Sequence, residues 1–94
     1  MVSKAFKTCL LLIEKMVKNN FVNQIGKTEV ENLIAHDVGA DRRTLDKYVG
    51  VCVRFKLLEA HPVSKNVFYI NLVEADRSMR VVFGRPVKQL TLPS

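Results

Sequence analysis

The sequence is short of long apolar runs. The longest near its start, Cys9 to Ile13, is closed by Glu14 and Lys15, too short for the core of a secretion signal. No stretch approaches the ~20 apolar residues of a membrane span. A soluble intracellular, cytoplasmic protein is expected. Cysteine is scarce too: Cys9 and Cys52 stand alone, and with His36 and His61 they match no common zinc spacing. Buried free thiols are expected rather than a disulfide, with no metal and no cofactor.

Catalytic signatures are equally missing. There is no Gly-rich phosphate loop, nucleophile elbow or carboxylate pair. His36 next to Asp37 would point ~100° away from it on a helix, which does not make an oriented base. The chain therefore reads as a non-enzyme. It also lacks the paired aromatics of an RNA-stacking sheet, Phe68 and Tyr69 being the nearest approach.

Acid is in short supply. Nine Asp and Glu face fifteen Lys and Arg, for a net charge of +6. A basic chain attracts polyanions, nucleic acid first among them, provided the charge is gathered on one face. The 94 residues, 48% hydrophobic, suffice for one domain with a modest core. That domain is expected over 1–84, with a tail over 85–94.

Hydrophobic spacing supplies the elements. Phe6, Cys9, Leu10, Ile13, Met16 and Val17 mark one stripe of a helix, with Lys4, Lys7, Lys15 and Lys18 on its other side and Leu11 among them. Thr28 and Glu31 have capping-box spacing before Val30, Leu33, Ile34 and Val38. Gly39 then serves as a C-cap and Asp41 as the next N-cap. Two helices joined by so short a glycine-bearing turn predict a helix-turn-helix.

The following segment has two readings. Leu45, Tyr48, Val49, Cys52 and Phe55 share a helical face, whereas Val49, Val51, Val53, Phe55 and Leu57 alternate as a strand would. The cap at Asp41 favours a helix from there to about Phe55. Beyond it, Leu58–His61 and Val67–Leu72 are strand candidates around a polar tip, Pro62–Asn66, with Phe68, Ile70 and Leu72 turned inward. Asn71 and Glu74 repeat the cap spacing ahead of a last helix through Phe83, stopped by Gly84 and Pro86.

On the third helix, Arg43, Lys47, Gly50 and Arg54 fall at i, i+4, i+7 and i+11, opposite Leu45, Val49 and Cys52. Three cations thus share one stripe with a residue that has no side chain. Such a stripe suits a major groove: Arg43 to guanine, Lys47 to a base edge or phosphate, Gly50 for close approach. Arg42 and Thr44 sit at the helix start, where phosphate binds readily. Ser64, Lys65 and Asn66 at the hairpin tip can reach backbone phosphate or the minor groove, and the tip is expected to be mobile.

The stretch from Lys27 to Glu59, with Arg43-Thr44, Tyr48-Val49 and Leu57-Leu58-Glu59 at its landmarks, resembles the core of winged helix-turn-helix regulators, most of all small ones from archaea and archaeal viruses. The resemblance covers residues 4 to 72. It implies an α+β fold with a three-helix core, a two-stranded β-hairpin wing and here an additional C-terminal helix. It also implies sequence-specific binding of double-stranded DNA, transcriptional regulation, and a host-cell cytoplasmic location if the source is a virus. A homodimer is expected through the C-terminal helix (Leu72, Met79, Phe83) and the outer face of the first helix at Leu11. The rival expectation is a winged helix used for protein–protein contact within a nucleic-acid assembly.

Overall fold

A computed structural model describes residues 3–87. Among the described residues, four helices and a three-stranded antiparallel sheet make a small α+β domain. Helix α1 spans Lys4–Lys18, strand β1 Gln24–Gly26, α2 Lys27–Asp37, α3 Arg42–Arg54, β2 Leu58–Ala60, β3 Val67–Ile70 and α4 Leu72–Phe83.

Helix α1 starts at Ser3, whose hydroxyl oxygen accepts the Phe6 N–H at 3.1 Å, satisfying one of the orphan donors of a helix start. Its expected stripe is buried from Cys9 to Val17, with Phe6 half-buried, and Leu12 is buried as well. The single-stripe reading was too narrow because α1 is walled by α2, α3 and α4 together. Leu11 is 43% exposed among the lysines.

The sheet has the order β1-β3-β2. Strand β1 was not foreseen, and it turns the expected two-stranded wing into a three-stranded sheet. Ile25 stands opposite Phe68, and Leu58 opposite Ile70, with all four buried. Gln24, Tyr69 and Glu59 line the outer face, as the two-residue strand period requires.

Four local expectations need correction. The capping box at Thr28 and Glu31 does not form: α2 begins at Lys27, with Gly26 as a cap lacking a side-chain bond. Strand β1 runs straight into the helix, and the Lys27 N–H donates to the Asn66 carbonyl at 2.7 Å. Gly39 has no left-handed backbone; Val38 is the C-cap, and both residues donate N–H to the Ile34 carbonyl. Asp41 occupies the N-cap of α3 as expected but makes no side-chain cap bond. Leu72, expected both to end the strand and to open the last helix's apolar stripe, is only the first residue of α4, because the Asn71 side chain accepts the Glu74 N–H and starts the helix there.

Helix α4 ends at Gly84, with φ 71°, the left-handed conformation glycine adopts at no steric cost. The chain then continues against the domain. The Arg85 guanidinium holds Glu14 of α1 through two hydrogen bonds, at 3.0 and 3.2 Å. The Val87 N–H donates to Asp76 at 3.2 Å, and Val87 is buried. Residues 85–87 thus belong to the folded body; the rest of the expected tail, 88–94, lies outside the described residues. The stripe proposed for dimerisation faces inward: Met79 is fully buried, and Leu72 and Phe83 pack on the same core. Among the described residues no helix is long and apolar enough to cross a membrane.

Both cysteines are free and buried where α1 meets α3. The Cys9 thiol reaches the Tyr48 carbonyl at 3.7 Å. A hydrogen bond to Cys9, then burial, raises the Cys52 thiol above its ordinary range, which keeps it protonated and unreactive.

Candidate nucleic-acid interface

Helices α2 and α3 are joined by the short turn 38–41, and Arg42 makes a surface bridge between them. Its guanidinium donates to Glu31 of α2 at 2.9 Å and to Asp46 one turn along α3 at 3.3 Å. Glu31 first, then Asp46, holds this guanidinium protonated even more firmly than usual. Arg42 thus bridges the two helices at the surface, its side chain still 63% exposed. Glu31, read from sequence as half of a cap, is the partner in that bridge. Thr44 is half-buried against the turn: a Cβ built on Gly39 would lie 3.6 Å from its methyl.

The residues that point outward are Arg43, Lys47, Gly50 and Arg54, all exposed. They sit opposite Leu45 and Cys52, which are buried. Arg43, Lys47 and Arg54 enter no ion pair among the described residues. Lys47 lies 5.6 Å from the Tyr48 ring centroid, a cation–π distance that steadies the side chain without neutralising it. The strand reading of Val49–Leu57 is overturned: α3 runs to Arg54 with Phe55 as C-cap. Lys56 takes φ 62° there, and the Leu57 N–H returns to the Cys52 carbonyl to close the helix end.

No family model, curated protein or solved structure matches this chain. Any functional reading of α3 therefore rests on its own chemistry.

Gly50 is the least economical residue on that face. It sits mid-helix, and a Cβ there would meet nothing within 4 Å. A helix interior loses about 1 kcal/mol to glycine relative to alanine, so Gly50→Ala should stabilise the fold by about that amount in thermal or urea unfolding. If the bare position serves close approach to a duplex, the same variant should bind DNA more weakly despite melting higher. Tighter or equal binding would remove Gly50 from the interface.

The hairpin tip carries hydrogen bonds that the sequence did not imply. His61 Nδ1 accepts two backbone N–H groups, from Val63 at 3.1 Å and Ser64 at 3.0 Å. Its ring lies 4.9 Å from that of Tyr69. The Asn66 N–H donates to Ser64 Oγ at 3.3 Å, and the Asn66 carbonyl takes the Lys27 N–H. Ser64 and Asn66 therefore help to build the tip, while Lys65 is exposed at it. The clasp was not foreseen because an imidazole acting as an acceptor for backbone donors is a role no sequence pattern advertises. His61→Ala should leave the core intact but accelerate amide hydrogen exchange at Val63 and Ser64. Unchanged exchange at both would mean that the clasp contributes nothing to order.

Proposed function

We propose that the protein binds double-stranded DNA sequence-specifically as a winged helix-turn-helix transcriptional regulator. In this reading α3 lies in the major groove and the tip 62–66 lies on the backbone or in the minor groove. One observation carries it: three cations without ion-pair partners among the described residues share the solvent face of the second helix of a tight helix pair. In helix-turn-helix proteins that helix enters the groove, and an uncompensated cationic stripe there suits phosphate and guanine edges. Arg43 is assigned to a base edge, Lys47 to a base edge or phosphate, and Arg54 to phosphate. Arg42 and Thr44 position the helix, and Lys65 is the cation of the tip.

Selection of bound sequences from a random duplex pool, followed by gel shift at two salt concentrations, tests this directly. A recovered motif whose affinity falls steeply with salt supports the reading; no enrichment and no shift would end it. A palindromic motif with half-sites about 34–36 Å apart, or a multiple of that, would report a two-fold dimer, and an asymmetric motif a monomer. The second reading, a protein-contact module, draws on Val53 and Phe55, which are 39% and 44% exposed at the C-terminal end of α3. It predicts no enrichment in the same selection.

A further inference from the structure

We propose that the outer face of α1 is a second, sequence-indifferent contact for duplex DNA, so that one copy of the chain holds two duplexes at once. The proposal rests on α3 being the first contact.

Lys4, Lys7 and Lys18 are exposed around Leu11, and at 100° per residue all four fall within an arc of roughly 60°. Nothing acidic offsets them. Glu14, the one carboxylate on α1, is held by Arg85, and Lys15 is paired with Asp37 at 2.7 Å. Glu29, Asp41, Glu59 and Glu74, the acids outside ion pairs among the described residues, sit on α2, at the cap of α3, on the outer face of the sheet and on α4.

Direction then separates this face from the first. Helices α1 and α3 meet through Cys9, Tyr48 and Cys52 and through the Phe6 and Phe55 rings, 4.8 Å apart. The lysines of α1 lie roughly 140–180° around that helix from Cys9, and Arg43, Lys47 and Arg54 lie equally far around α3 from Cys52. The two cationic stripes therefore face away from each other. Two helices side by side, each about 10–12 Å across, put roughly 20 Å between them. A duplex seated on α3 leaves the α1 face free.

The chemistry of the face fits a phosphate backbone better than other polyanions. Its charges are strung along roughly 21 Å of helix axis, matching a long anion with closely spaced charges. Lysines are point charges without the planar fork that fixes a bidentate partner, so the contact is indifferent to sequence. Leu11 alone is too little apolar surface to insert into a lipid headgroup layer.

A two-duplex capture assay tests the proposal: one duplex carrying the selected motif is fixed to beads, and a second, labelled duplex stays in solution. The wild-type chain should retain the labelled duplex. The combined Lys4→Gln, Lys7→Gln and Lys18→Gln variant should bind the fixed duplex as wild type does, yet retain the label only at the no-protein level. Arginine at the same three positions should restore capture. Replacing Arg43, Lys47 and Arg54 by alanine should also end capture, while leaving weak, salt-sensitive binding through α1. If the glutamine variant still captures, as it would were two copies dimerised with one α3 on each duplex, the α1 contact is wrong. If the wild type never captures, it is equally wrong, and α3 stands untouched. If the alanine variant binds as wild type does, the reading of α3 fails instead.

Discussion

Replacing Arg43, Lys47 and Arg54 together by alanine is expected to reduce DNA binding to a weak, sequence-indifferent residue. The three side chains are exposed, unpaired among the described residues and far around α3 from its buried side. Their loss should therefore leave the fold intact, with surface changes of this kind usually within about 0.5 kcal/mol. The single variants should differ from one another. Arg43→Ala should cost about 1–3 kcal/mol and relax base preference at one position, as loss of a bidentate base contact does. Arg54→Ala should weaken all duplexes alike and lower the salt slope by about one unit. Gel shift across a salt series, with melting temperatures alongside, separates these outcomes. Equal binding by wild type and the triple variant would show that α3 does not read DNA.

Met79→Ala should unfold the protein at markedly lower temperature without changing its state of association. Met79 is fully buried in the core where α4 packs on α1. Truncating a buried methionine costs about 2–5 kcal/mol, a large share of the roughly 5–15 kcal/mol that stabilises a domain. At about 4–8 °C per kcal/mol for a domain of this size, the melting temperature should fall by roughly 8–40 °C. The control is Val81→Ala on the same helix, where the side chain is 79% exposed and almost no change is expected. The other view, that Met79 lies at a subunit seam, predicts a melting temperature that depends on protein concentration in the wild type and loses that dependence in the variant. Calorimetry at two concentrations decides between them.

How much could be read in advance depended on the range of the physics involved. The start of α3 behind Asp41, the stop of α4 at Gly84 and the stripe of α1 are local matters of spacing and backbone chemistry, and the sequence carried them. The exposure of Arg43, Lys47 and Arg54 followed from helical period alone. Strand β1 was invisible because three residues hold no period, and its partner lies on β3, far along the chain. Thr28 and Glu31 had the right spacing for a cap, yet β1 forced the helix to begin earlier and Arg42 took the Glu31 carboxylate. Arg42 and Arg43 are exposed neighbours of identical chemistry, and only the position of α2 gives one an acidic partner and leaves the other without an ion pair among the described residues. The clasp at His61 is likewise a property of the folded hairpin.

The pairing of β1 with β3 also bears on the order in which the chain folds. Gln24 stands opposite Tyr69, so closing that ladder means closing a loop that contains all of α2, α3 and β2, whose entropy must be lost before the strand gains anything. Helices α2 and α3, linked by a four-residue turn, need no such closure and can dock early. The edge strand is then the last part to join the structure and the first to leave it. A conservative truncation such as Ile25→Val should act mainly on the unfolding rate and hardly on the folding rate. The helix pair thus takes shape before the element that holds the hairpin tip beside it.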